Sequence, residues 1–245
     1  MSPMKLITLI LALIPALAAQ PGRFGLPACA GPSLELADRG FFLLCHDSSR
    51  KVPLWVAYQL KPEHLIRVAS YRGRFSRDLQ LSGPTAAGSD YTHSGFSRAH
   101  MAPAADFAWS EVAIRSTFVL SNAVPLRQSV NAGPLARIEA AVRRLAARAD
   151  AVYIFTGPIF DREPELIGRG VAVPSHTFKV VLAIEGDRKT MYAAIVPNFP
   201  GLSKNLADFI TTVDDVELRA GLDFFAALDD TEELPLESAL RAFPR

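Results

Sequence analysis

The chain has 245 residues, 49% of them hydrophobic, so it can bury a substantial core, and its length suits one generous domain better than two. Two cysteines and no Cys-x-x-Cys pair exclude a cysteine-built zinc module. The formal net charge of +1 conceals an asymmetry: residues 61–148 carry 12 Lys/Arg against 6 Asp/Glu, and residues 208–245 carry 3 against 10. Such a split suits a basic face for a polyanion with an acidic region away from it, or two solvated surfaces.

Residues 1–19 read as a signal peptide. Lys5 gives a positive start, Leu6 to Leu17 an apolar run too short to span a bilayer, and Ala16-Leu17-Ala18 a small-residue cleavage site. The competing reading is an uncleaved membrane anchor. Cleavage implies export, periplasmic or secreted, with no stable membrane association afterwards, and leaves residues 20–245 as one domain. An oxidising compartment would allow Cys29 and Cys45 to pair. From Phe41 to Leu60, two apolar, aromatic-rich runs flank a polar turn and predict a hairpin or two neighbouring strands. The segment YRGRFSRDL places Arg72, Arg74 and Arg77 around Phe75, a cluster suited to phosphate because each guanidinium offers a fixed fork of donors. A solvated loop accounts equally well for any one of them. Residues 82–90 read as an irregular loop.

The chemistry concentrates in SGFSRAHMAPAAD, residues 94–106. Hydrolysis of a phosphodiester needs a base for water, positive charge for the phosphorane and help for the leaving oxygen. His100 is the candidate base, and Arg98 shares its side of the chain if that stretch is extended. A strand near Phe118 to Leu120 precedes SNAVPLRQSVN, and Gly133-Pro134 then introduces a helix. Leu135, Ile138, Val142 and Leu145 make its buried stripe, while Glu139 and Arg143, one turn apart, are expected to pair. Asn131 is either a cap or turn residue or a neutral oxygen ligand for a largely hydrated Mg²⁺, with Glu139 orienting the waters. His176 reads as structural, Asp161, Glu163 and Glu165 as a solvated loop, and DDTEELPLE as an acidic surface segment. Trp55 and Trp109 read as core residues, Trp109 also as a neighbour of the substrate groove.

The ordered series SGFSRAHMAPAAD, TFVLSNAVP, Asn131 and RIE at 137–139, with VYIFTGPIF, VAVPSHTFKV and IVPNFP beyond it, resembles the DNA/RNA non-specific endonuclease family over residues 52–225. The resemblance implies an α+β fold, a mixed β-sheet core with flanking helices and a ββα-metal active-site motif. It implies endonucleolytic hydrolysis of DNA and RNA with one divalent ion, Mg²⁺ or another such as Mn²⁺, leaving 5′-phosphate and 3′-hydroxyl ends. By motif position His100 matches the general base, Asn131 the metal ligand, Glu139 the carboxylate acting through water and Arg98 the arginine near the phosphate. Asn122 and Arg143 match supporting polar positions.

The chain departs from the family pattern in having SRAH for DRGH, with Ser97 for aspartate and Ala99 for glycine. It also has Leu126 for glutamine and Leu135 where a bulky aromatic is expected. The SRAH change keeps open a catalytically impaired nucleic-acid-binding homologue, and a phosphodiesterase for small esters is a third reading. DNA and RNA are the expected partners, and a homodimer is compatible with the sequence.

Overall fold

Both faces of the central sheet are covered, which is why its strands read as almost continuous apolar runs. The computed structural model describes residues 21–244; the signal peptide expected at residues 1–19 lies outside the described residues. Strands are β1 (Leu34–Asp38), β2 (Phe42–Asp47), β3 (Val52–Leu60), β4 (Ser97–His100), β5 (Ala123–Leu126), β6 (Ala151–Ile159), β7 (Leu166–Ile167), β8 (Val171–Ala172), β9 (His176–Glu185), β10 (Arg188–Pro197) and β11 (Ile210–Thr211). Helices are α1 (Glu111–Ser116), the single turn α2 (Gln128–Val130), α3 (Ala136–Ala146), α4 (Val213–Ala220) and α5 (Asp230–Glu237).

Seven strands form the main sheet in the order β1-β2-β3-β6-β9-β10-β11. The α+β class is as expected; the sheet, expected as mixed, is refined to one in which every neighbouring pair runs antiparallel. Tight connections such as those of β2–β3 and β9–β10 produce this, because adjacent strands joined by short turns must reverse direction. The expected pair within residues 41–60 is the β2–β3 hairpin, whose turn is held by Asp47 accepting from the Ser49 and Arg50 backbone amides.

Alternation along each strand sorts side chains between two cores. Val152 and Ile154 of β6, with Val56 and Tyr58 of β3, face α3, whereas Tyr153 and Phe155, with Trp55 and Ala57, face α4. The α3 stripe is as predicted: Leu135, Ile138, Val142 and Leu145 are all buried. On the opposite face α4 starts at Thr212, whose hydroxyl accepts from the Asp215 amide, and ends at Gly221 in the left-handed conformation, φ 66°.

Cys29 and Cys45 form the expected disulfide, tying the chain before β1 to buried β2. Replacing both by alanine is expected to cost about 3 kcal/mol, mainly by freeing the unfolded chain. The check is the urea midpoint; an unchanged midpoint would mean that packing alone holds this segment.

Candidate active site

Between β3 and β6 the chain leaves the main sheet and builds a separate ββα unit from β4, β5 and α3. Strands β4 and β5 pair antiparallel, with Ser97 opposite Leu126, Arg98 opposite Pro125 and His100 opposite Ala123. As the extended reading required, Arg98 and His100 share one side of β4, while Ala99 between them is buried in the core. A methyl group is therefore accommodated at the position where the family pattern has glycine, in ordinary strand backbone.

His100 sits between two aromatic rings, Phe75 at 4.5 Å and Phe118 at 4.8 Å between ring centroids. Its Nε2 is buried and has no hydrogen-bond partner among the described residues. Burial among these rings pushes its pKa down to about 4, so the imidazole is neutral at pH 7 and able to accept a proton. The folded pKa lies below the ordinary 6.5, so the unfolded chain binds the proton first as pH falls. Stability is therefore fully present above pH 6.5 and is expected to decline between pH 6.5 and 4, by about 3 kcal/mol in total. A His100→Phe protein should show a shallower loss across that window in urea titrations at stepped pH.

Phe75 and Phe118 also line a cavity of about 520 Å³, together with Arg74, Arg98, Gly88 and Thr92. Arg98 is fixed there by donating to the Gly88 carbonyl at 2.6 Å and by lying over the Tyr91 ring. The Gly88 turn is in turn held by Asp90, which accepts from the Ala87 amide.

Of the three arginines expected to act together, only Arg74 lines this cavity. Arg77 donates to Thr85 and lines a different depression with Arg39 and Asp78, and Arg72 is exposed. Alternation in an extended segment explains part of the split: Arg77 is an odd number of residues from Arg72 and Arg74. Trp109 does not line the cavity either; it stacks on His64 and packs edge-on against Phe41.

Asn131 ends α2, and a wide π-type turn over Asn131–Leu135 joins it to α3, with non-helical backbone at Gly133. Pro134 thus lies inside the joining turn and does not open a separate helix, as the sequence had suggested. Wide turns of this kind recur at functional sites because they aim one side chain out of the helical register. The Asn131 Nδ2 donates to Ser97 Oγ at 3.3 Å, and Ser97 donates to the Leu126 carbonyl at 2.9 Å. The serine that replaces the family's aspartate therefore still holds the asparagine, leaving Oδ1 for another partner. Asn122 is fully buried, its amide consumed by the Ala102 backbone on both sides and by the Thr117 carbonyl. It clamps the chain just after His100 and has no group left to touch substrate.

Glu139 and Arg143 do not pair as expected. Arg143 instead donates to Asp106 Oδ1 at 2.7 Å, while Tyr58 donates to Asp106 Oδ2 at 2.9 Å. The fully buried Asp106 has the stronger demand for a cation, because an unpaired buried carboxylate is costly. Glu139 accepts no hydrogen bond from the described residues. Burial pushes its pKa up to about 7, opposed by Lys179 and Arg143 and reinforced by Asp106. Lys179 is buried on β9 and donates to Tyr58 at 3.4 Å. Asp106, Tyr58 and Lys179 were given no role from sequence. A lone lysine in the apolar run HTFKVVLAIE was the one available signal.

The donor set suits a hydrated divalent ion: one neutral amide oxygen on Asn131 and a carboxyl on Glu139 with no protein partner. Comparisons with known proteins agree with this arrangement. The DNA/RNA non-specific endonuclease profile matches residues 22–231. Mitochondrial nuclease EXOG of Danio rerio is 37% identical over 224 residues, 84% of this chain and 64% of the relative, so the chain spans less than two thirds of that protein. Mitochondrial endonuclease G of Homo sapiens is 33% identical, with 82% of this chain and 72% of the relative covered. Nuclease C1 of Cunninghamella echinulata var. echinulata is 33% identical, with 84% and 88% covered. A chain in the crystal structure of the EndoG/EndoGI complex overlays with a TM-score of 0.80 at 28% identity, covering 87% of this chain and 93% of the other.

Proposed function

The chain belongs to the DNA/RNA non-specific endonuclease family, and from that premise we propose that it hydrolyses phosphodiester bonds of DNA and RNA without sequence specificity, using a divalent cation, Mg²⁺ or Mn²⁺. The observation that carries this reading is the unpartnered, neutral Nε2 of His100, flanked by two rings that line the cavity holding Arg74 and Arg98. His100 takes the proton of the attacking water at Nε2. Arg98 and Arg74 supply fixed positive charge to the phosphate oxygens, and the Phe75 and Phe118 rings limit water around the base. Asn131 and, through water, Glu139 would hold the cation, which supplies charge stabilisation at the leaving oxygen. Ser97 positions Asn131, Asn122 fixes the backbone after His100, and Arg143 keeps Asp106 neutralised beneath Glu139. Contacts of this type reach the backbone and sugar and carry little base information, in keeping with both nucleic acids as substrates.

The accommodation of Ser97 and Ala99 favours an active enzyme over an impaired binding homologue. Export is part of the proposal, supported by the pattern of residues 1–19 and by the Cys29–Cys45 disulfide, which suits an oxidising compartment. The relatives named above as mitochondrial make mitochondrial targeting the alternative. Among the described residues no helix is long and apolar enough to cross a membrane.

The test is digestion of plasmid DNA and of RNA by residues 20–245 with Mg²⁺, with Mn²⁺ and with chelator. Cleavage of both polymers that stops with chelator is expected. Folded protein that binds DNA in a salt-dependent way yet cuts neither polymer with any divalent ion would leave only the binding homologue.

A further inference from the structure

On the face of the sheet opposite α3, helices α4 and α5 lie against each other and bring carboxylates together. Asp214 and Glu217 are three residues apart on α4, and Glu233 and Glu237 are four apart on α5, so each pair shares a helix face. One carboxylate oxygen from each of Asp214, Glu217 and Glu237 lies within 4.8 Å of the other two. Glu237 is only 6% exposed, and its Oε1 is buried with no hydrogen-bond partner; Glu233 Oε1 is likewise unpartnered. Glu217 is held in place by accepting from the Phe224 amide at 2.8 Å. No lysine or arginine among the described residues forms an ion pair with Asp214, Glu217, Glu233 or Glu237. The neighbouring cations are committed elsewhere, Lys189 to Glu232 and Arg219 to Asp215.

A buried carboxylate without a donor or counter-charge is costly, and several converging carboxylates compound the cost. We propose that Asp214, Glu217 and Glu237 form a binding site for a hard divalent cation of the calcium class, separate from the candidate active site. Calcium takes oxygen ligands at about 2.3–2.6 Å, so one ion fits among three oxygens that lie this close together. Its tolerance of irregular geometry suits ligands drawn from two helices, and exposed Asp214 leaves room for water to complete the shell. Burial and mutual repulsion push the Glu217 carboxyl up to about 7 and Glu237 up to about 8, which is the cost a bound cation would relieve. The ion would cross-link α4 to α5 and hold both against β10.

The experiment is calcium titration of chelator-stripped residues 20–245 carrying Asn131→Ala, which removes the amide ligand proposed at the active site. Binding is followed by calorimetry and by Tm at pH 7.5. Expected are one calcium ion bound and a rise in Tm of several degrees. The added variant Asp214→Asn, at an exposed position, should weaken binding at least tenfold, and Glu217→Gln with Glu237→Gln should abolish it. The double variant removes repulsion and should fold, as checked by circular dichroism. Three results would overturn the proposal: no heat and no Tm shift in the Asn131→Ala protein, calcium binding that survives in the double variant, or a double variant whose higher Tm merely replaces a calcium-independent stability. The last outcome would mean that the cluster holds protons only.

Discussion

Replacing His100 with alanine is expected to lower the rate of DNA and RNA cleavage by about 10²- to 10⁴-fold, the range over which a positioned general base contributes. The side chain is the neutral, unpartnered base between Phe75 and Phe118, and no other described group at the cavity offers a free neutral nitrogen. Arg74, Arg98 and Asn131 remain in the variant, so polyanion binding and its salt dependence should persist while kcat collapses. That split separates loss of the base from loss of the substrate surface. The measurements are initial rates on plasmid and RNA, paired with binding at two salt concentrations. Undiminished cleavage by a folded His100→Ala protein would remove His100 from the mechanism, and equal loss of binding and turnover would make it structural.

Asp106→Ala is expected to cost about 3–5 kcal/mol of stability, the usual penalty for breaking a buried pair from one side. Asp106 accepts from both Arg143 and Tyr58, and Lys179 reaches Tyr58 from β9, so one deletion strands two cations and a phenol beneath the site. Asp106→Asn should cost less, because an amide oxygen still accepts from one partner while the negative charge is lost. Urea unfolding of the two variants gives the comparison directly. A cost below about 1 kcal/mol for Asp106→Ala would show that solvent already relieves Arg143, and would undercut the account of why Arg143 ignores Glu139.

The order of elements at the site was readable because it is local. Alternation across SRAH placed Arg98 and His100 on one side, and the spacing of Leu135, Ile138, Val142 and Leu145 gave the buried face of α3. The disulfide followed from there being two cysteines in one chain. The π-type turn at Asn131–Leu135 was misread because Gly-Pro punctuation marks a break without stating how the helices on either side are joined. The arginines of residues 72–77 were grouped by nearness in sequence, whereas an irregular segment sends such neighbours to different surfaces.

The sequence by itself determined which residues carry the chemistry and in what order they come, along with the α+β class and the helix face that packs on the sheet. Periodicity and residue type report local geometry and burial, and those are properties of short stretches. Only the tertiary structure decided the partners of the charged groups. It gave Arg143 to Asp106 rather than Glu139, set Tyr58 and Lys179 beneath the site, let Ser97 hold Asn131, and brought Glu237 against Asp214 and Glu217. The physical reason is that a charge pairs according to desolvation. Which carboxylate is most deeply buried depends on segments far apart in the chain that meet only when the sheet has closed over them.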